Sequence, residues 1–422
     1  MGWTSADQMV SSLTNFGATL AAARLLGPEG LGVVALGIAI AYGAVAFTRG
    51  VIGESMLVFQ RDAVTDGALT ASVLVGALGT CVCLAVGAVG GGQVLEPLLL
   101  LGAVLPLLTL QDSTRYVFFR EGRPQMAFAS DTVWAVGQAV ALVFVWSQPA
   151  PSASGVMLTW VVGIVLSAAF SVVVVRPSLS LGAARDWLAV SRRLSAWVAG
   201  QSIVAQAGQQ VTFVVVGLFV SLTVLGVVRA AQTLLSPVVL FLTVFRVIGL
   251  SELGQGAEQG RGTDDFARVR RTAYRMSLAA AMLSVVYAAC LIATRHAVVE
   301  HLFGASFAAY DGLAVPVALA VLAFAVATGP EIGNRAIAAG RNVFVTQVVA
   351  TAVGIPLMVG LAVAGGPVGA VWGICGQRAI WAVAAWATFL LSTSAARGSA
   401  SWERPGGPAA TTAGPDHRPR SG

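Results

Sequence analysis

The sequence predicts an all-α polytopic membrane protein of about twelve transmembrane helices in two six-helix lobes. Composition, the spacing of apolar windows and a pattern used twice along the chain carry that reading. Of 422 residues, 57% are hydrophobic and only 10% are charged, against roughly a quarter charged in soluble domains. The mean hydropathy of +0.82 leaves more apolar surface than a soluble core can hide. Lysine is absent, so the 25 basic residues are all arginine, and loop charge is read from arginine alone.

Windows of about twenty apolar residues, enough to cross a bilayer, fall as spans 1 (8–26), 2 (31–53), 3 (68–90), 4 (94–117), 5 (126–147) and 6 (154–175). The second half supplies spans 7 (196–220), 8 (224–249), 9 (273–293), 10 (310–330), 11 (343–364) and 12 (367–391). Strands are excluded, because the windows are too long and lack period-two alternation.

The loops sort by charge. Arginine follows the even spans: Arg61, then Arg115, Arg120 and Arg123, then Arg176, Arg185, Arg192 and Arg193. In the second half come Arg261, Arg268, Arg270, Arg271 and Arg275, then Arg335 and Arg341, then Arg397, Arg404, Arg418 and Arg420. Gly90-Gly91-Gly92-Gln93, Ser147–Pro151 and Ala364–Pro367 are bare. Positive loops stay inside, so both termini are expected in the cytoplasm of a cell-membrane protein. The start lacks a basic n-region and a small-residue cleavage site, so span 1 is expected to remain.

The expected organisation is an N-terminal lobe over 1–180, a cytoplasmic linker over 181–195, a C-terminal lobe over 196–391 and a disordered tail over 392–422. Leu181, Trp187, Leu188, Val190 and Leu194 among arginines suit an amphipathic helix on the inner leaflet. The tail is rich in Ser, Ala, Gly, Pro and Arg.

Arg24-Leu25-Leu26-Gly27-Pro28-Glu29-Gly30-Leu31-Gly32 is a tight hinge between spans 1 and 2. About two hundred residues on, Gly226-Val227-Val228-Arg229 echoes Gly32-Val33-Val34-Ala35. Arg49-Gly50-Val51-Ile52-Gly53 resembles Arg246-Val247-Ile248-Gly249, and Arg115 with Gly122-Arg123 resembles Arg335 with Gly340-Arg341. Spans 1 and 7 are the most polar of their halves: Ser11, Ser12, Thr14, Asn15 and Thr19 against Gln201, Ser202, Gln206, Gln209 and Gln210. Echoes in one order imply two bundles of equal topology, related by an axis normal to the membrane. The polar side chains of spans 1 and 7 either line a watery cavity or hydrogen-bond between helices.

The stretch A-R-L-L-G-P-E-G-L-G after span 1, its echo at 225–230, F-F-R-E-G-R at 118–123 and L-F-G-A-S-F at 302–307 resemble one superfamily branch. It is the polysaccharide-exporter branch of the multidrug/oligosaccharidyl-lipid/polysaccharide (MOP) flippases. The resemblance covers roughly 8–391. It implies a MATE-like fold, a V-shaped pair of lobes with spans 1, 2, 7 and 8 around a central cavity, and a polyprenyl-diphosphate-linked saccharide as substrate. The basic stretch usual before span 1 in such proteins is missing here.

Ionisable groups inside the membrane are functional candidates by default. Arg378, near the middle of span 12, asks for either an anionic ligand or a carboxylate. Arg49 and Arg246 hold equivalent places in spans 2 and 8. They either snorkel beside Glu54 and Glu252 or receive a diphosphate through paired hydrogen bonds. With Asn15, Gln206 and Gln210 they make the expected substrate cavity. Arg24 and Arg229 are expected at the outward mouth, pulling on the emerging anion or anchoring at the interface. Asp112 precedes Arg115 by three residues, which favours a local ion pair. Asp131 shares a helical face with Trp134 and Gln138. Both acids are candidates for coupling to a proton or sodium gradient. Glu331 is expected to pair with Arg335.

No catalytic residues are expected. The sequence carries no phosphate-cradling loop after a strand and no Ser/His/Asp order. Neither a metal nor a cofactor is expected, since Cys81, Cys83, Cys290 and Cys375 sit in apolar stretches and His296, His301 and His417 are scattered. The expected partners are a lipid-linked saccharide, membrane lipids and other polysaccharide-assembly proteins, without nucleic acid. Three rivals remain. A MATE-type cation antiporter should favour cavity acids, a membrane polymerase or glycosyltransferase needs a large outward loop, and a scaffold should lack buried charge.

Overall fold

The computed structural model describes residues 2–53, 56, 65–257, 263–337 and 340–400, with the side chains of 2, 4, 5, 190–207, 209, 240, 243–266, 340 and 395–400 outside the description. Helices dominate the described residues, and nine segments are long and apolar enough to cross a membrane. Two of those segments each hold two spans. Helix Gly2–Thr48 breaks at Gly27 (φ 68°, ψ −170°) and helix Gly340–Ala400 at Gly366 (φ 60°, ψ −148°). Glycine alone enters that backbone region freely. Proline follows in both places, at Pro28 and Pro367, where a helix start has no use for its missing N–H. Spans 1 and 2 and spans 11 and 12 are therefore hairpins turned by a single Gly-Pro step.

Between them run spans 3 (Thr65–Gly90), 4 (Gly92–Arg120), 5 (Pro124–Trp146) and 6 (Ala153–Val175). Spans 7 (Leu181–Phe219), 8 (Leu222–Ala257), 9 (Thr263–Ala293) and 10 (Ala314–Ala336) follow. Every predicted window overlaps one of these helices, and only 31–53, 126–147, 196–220 and 310–330 run past a helix end, by one to five residues. The protein is a multi-pass membrane protein, and its surface is inverted relative to a soluble one. Leu78, Val140, Val143, Phe144, Val173 and Val383 are exposed, whereas Asp7, Ser72, Ser130 and Ser167 are fully buried. Spans 3–6 pack with the 1–2 hairpin, spans 8–12 pack together, and the 1–2 hairpin meets spans 7 and 8 between the two groups.

Three features differ from the expected layout. Residues 181–195 are the first turns of the 39-residue helix of span 7 rather than a separate linker. Trp187, 1% exposed, packs with Ile52, Met56, Leu69 and Leu110, so this segment docks under spans 2–4. Ser178 and Ser180 donate their backbone N–H groups to Asp66 Oδ1 at 3.0 Å and Thr70 Oγ1 at 3.1 Å, which fixes its approach. Span 2 ends in a π-helical turn, Arg49–Gly53, a distortion frequent at functional positions. Between spans 9 and 10 lie a short helix, Arg295–Phe303, and a 3-10 stretch, Ala305–Leu313, below the length the apolar windows register. Span 12's helix continues to Ala400, and residues 401–422 of the expected tail lie outside the described residues.

Candidate functional site

Where the lobes meet, the two echoed glycines face each other. A Cβ on Gly32 would strike the Leu222 carbonyl oxygen, and one on Gly226 would strike the Pro28 carbonyl oxygen. Matching 32 with 226 and 28 with 222 turns either contact into the other. That reciprocity is the mark of a twofold axis, here passing between two halves of one chain. Nearby, Arg24 donates through Nε to the Leu302 carbonyl at 3.1 Å and through its terminal nitrogen to the His301 carbonyl. Those carbonyls end helix Arg295–Phe303, where the helix dipole favours a cation. A Cβ at Gly27 would lie 3.5 Å from Ser306 Oγ. The A-R-L-L-G-P stretch, its echo and L-F-G-A-S-F thus converge on one end of the lobe boundary and close it.

Deeper in the N-terminal lobe, five ionisable side chains meet. Arg115, with its side chain 8% exposed, is salt-bridged to Asp7, lies 3.5 Å from Asp131 and stands 3.9 Å from Asp112. Arg49 takes Asp112 through one guanidinium edge, Nε at 3.0 and 3.1 Å and the terminal nitrogen at 2.5 Å. Gln111 donates to Ser130 Oγ at 3.1 Å and Asp131 Oδ1 at 3.2 Å. Three carboxylates therefore share two guanidinium groups, and Asp7 Oδ1 is buried without a hydrogen-bond partner among the described residues. A cavity of ≈60 Å³ opens onto the cluster, lined among others by Ser11, Thr14, Asn15, Tyr42, Arg49 and Asp131. Asn15 itself donates to the Ser11 carbonyl at 2.9 Å.

The sequence reading treated these residues as separate candidates. Asp112 does lie near Arg115, as its i,i+3 spacing suggests, but its close partner is Arg49. Asp7 and Arg115 were missed as site residues, because Asp7 precedes the apolar window of span 1. The available signal was the spacing of Asp7, Ser11, Thr14 and Asn15, which puts all four on one helical face.

Arg229 lies seven residues into the helix of span 8, about 10 Å from its start. Its guanidinium is within hydrogen-bonding reach of the Tyr42 hydroxyl of span 2, and among the described residues its Nε is buried without a partner. Tyr42 packs edge-on to Trp160 at 6.1 Å, and Trp160 to Trp134 at 5.9 Å. Trp134 in turn donates to Gln138 Oε1 at 2.7 Å. This aromatic relay sets Tyr42 between the boundary arginine and the ion cluster.

The C-terminal lobe answers differently. Arg378 sits 5.2 Å over the ring of Phe324, a cation–π arrangement, and Phe324 stacks on Trp381 at 5.4 Å. Glu331 and Arg335 pair at 2.8 Å, as expected. Gln210 packs against Gly43 of span 2, its Cβ 3.7 Å from the position a Gly43 Cβ would take. The side chains of Gln206 and Arg246 lie outside the described residues. Arg24 lies at the closed end.

The twelve-span helical fold with two pseudosymmetric lobes is MATE-like in architecture. Over residues 21–311 the sequence matches the polysaccharide biosynthesis protein family, and the chain belongs to that family. No curated protein matches it in sequence. Its fold resembles an inward-facing multidrug resistance MATE family transporter of the MOP superfamily, with TM-score 0.72 at 14% identity over 92% of this chain and 96% of that one. It equally resembles the lipid II flippase MurJ in an inward closed conformation, with TM-score 0.72 at 11% identity over 95% of this chain and 93% of that one. Against a MATE family transporter in an outward-facing conformation the TM-score falls to 0.56, at 14% identity over 93% of this chain and 94% of that one.

Proposed function

We propose that the protein is a cell-membrane flippase that carries a polyprenyl-diphosphate-linked saccharide across the bilayer for cell-surface polysaccharide assembly. In this reading the arginine-rich loops put the closed end of the lobe boundary outward and both termini in the cytoplasm. The observation that carries the reading is the Nε of Arg229 beneath that closure, buried and without a partner among the described residues. A guanidinium held at a protein boundary inside a membrane needs an anion. A diphosphate entering from the cytoplasmic side supplies one, with Arg49, its side chain 37% exposed, beside it. The sugars would follow the diphosphate while the lipid tail stays in the bilayer. Transport is non-covalent, and alternating closure of the two ends moves the ligand.

The same reading gives the N-terminal cluster a coupling role. Three carboxylates against two guanidinium groups leave one negative charge, which a buried site tolerates poorly. A proton or sodium ion taken up at Asp131 or Asp112 would cancel it and free Arg49 for the anion. The support is the charge count and the shared Asp112–Arg49 contact.

The test is reconstitution into liposomes with a polyprenyl-diphosphate oligosaccharide on one leaflet. Protein-dependent translocation is expected, with no accumulation of a cationic dye. Cation export without saccharide translocation would replace this reading with that of a multidrug antiporter.

A further inference from the structure

The geometry points to a binding site for an anionic phospholipid on the outer face of the C-terminal lobe, at the start of span 9. Arg270, Arg271, Tyr274, Arg275 and Leu278 line an open groove of ≈570 Å³. Arg271, Tyr274, Arg275 and Leu278 fall at i, i+3, i+4 and i+7, so one helical face presents them together. The floor is fixed. Tyr274 stacks on Trp386 of span 12 at 4.7 Å with the rings 26° apart, and the Trp386 indole donates to the Val326 carbonyl at 3.0 Å.

Two features name the occupant. Arg270, Arg271 and Arg275 have no carboxylate partner among the described residues, so the groove carries uncompensated positive charge. Below them the same face turns apolar at once, through Leu278, Met282 and Val285, each more than half exposed. A ligand that satisfies both parts has a negative head and hydrocarbon chains. An acidic peptide would neutralise the arginines but leave the apolar half uncovered. The charged end lies on the arginine-rich side of the membrane, which places the lipid in the inner leaflet. Tyr274 and Trp386 sit at the level where aromatic rings gather between head groups and chains. This site is separate from the lobe boundary and does not depend on what crosses there.

Native mass spectrometry of the purified full chain, supplied with phosphatidylglycerol or phosphatidylcholine, tests the inference. The wild type should retain phosphatidylglycerol over phosphatidylcholine, and R271Q alone should weaken retention about fivefold. R270Q/R271Q/R275Q should abolish the preference, while R123Q/R176Q/R185Q, with the same loss of charge elsewhere, should keep it. Equal retention by wild type and R271Q, equal losses in the two triple variants, or no preference in the wild type would each overturn it. Should the first triple variant fail to fold, R271Q and the control triple variant decide the matter.

Discussion

Arg115 and Arg335 occupy matching positions in the two halves, each near the end of a fourth span and each followed by Gly-Arg, yet they live in different chemistry. The side chain of Arg115 is 8% exposed and meets three aspartates from spans 1, 4 and 5. That of Arg335 is 50% exposed and pairs with Glu331 one turn away on its own helix. The interior of the C-terminal lobe is instead tied by neutral groups. Asn342 donates to Ser392 Oγ at 2.6 Å and Asn334 Oδ1 at 3.2 Å, and Thr346 and Thr388 lie 3.3 Å apart. The described residues thus pair an ionic cluster among spans 1, 2, 4 and 5 with a hydroxyl–amide network among spans 10, 11 and 12.

Replacing the two arginines separately gives the largest contrast. Arg115→Ala strands buried carboxylates and is expected to cost about 3–5 kcal/mol, seen as a collapse in the unfolding midpoint of detergent-purified protein. Arg335→Ala removes a half-exposed pair and should cost about 0–1 kcal/mol. Equal losses would break the comparison.

The closure should behave symmetrically even though the lobes do not. Gly32→Val and Gly226→Val each drive a side chain into an opposing carbonyl, so both should prise the outward end apart. Thiol labelling of cysteines introduced along the boundary from the outward side should rise in both variants by a similar factor. A rise in one alone would argue against the twofold relation of these glycines.

Arg24→Ala is a milder form of the same test. It removes a charged donor from two helix-end carbonyls and is expected to shift the closed state by about 1.5–3 kcal/mol at most. Outward labelling should increase less than in the glycine variants, with the unfolding midpoint little changed.

Asp131→Asn sharpens the coupling side at the smallest cost in stability, since two aspartates then balance two arginines. Transport driven by a pH gradient should lose its response to that gradient while downhill exchange persists. An unchanged response would remove Asp131 from coupling.

The helices, their number and the two halves were legible because composition and periodicity are local signals, and lipid demands long apolar windows. Gly27 was legible as a hinge. The same Gly-Pro reversal at Gly366 was read only as a loop, since a single residue suffices to turn the chain. Pairings were another matter. Arg115 and Asp7 are 108 residues apart, and Arg24 reaches a carbonyl 277 residues away. Nothing in a window of sequence encodes such distances. Asp112 shows the limit well: its spacing pointed to Arg115, while the fold brings Arg49 from span 2 to a closer contact made through two donor nitrogens. Arg229 already fell inside the expected span 8, but its reach to the Tyr42 hydroxyl of span 2 joins two helices that no single window spans.

The central claim is that Arg229 receives an anion beneath the outward closure, and one comparison tests it most directly. Wild type and Arg229→Gln, both verified as folded by thermal unfolding, are reconstituted side by side and assayed for translocation of a polyprenyl-diphosphate oligosaccharide. The account predicts flipping by the wild type and loss of at least about tenfold in the variant, the equivalent of one charged hydrogen bond. Flipping by Arg229→Gln at the wild-type rate would contradict it.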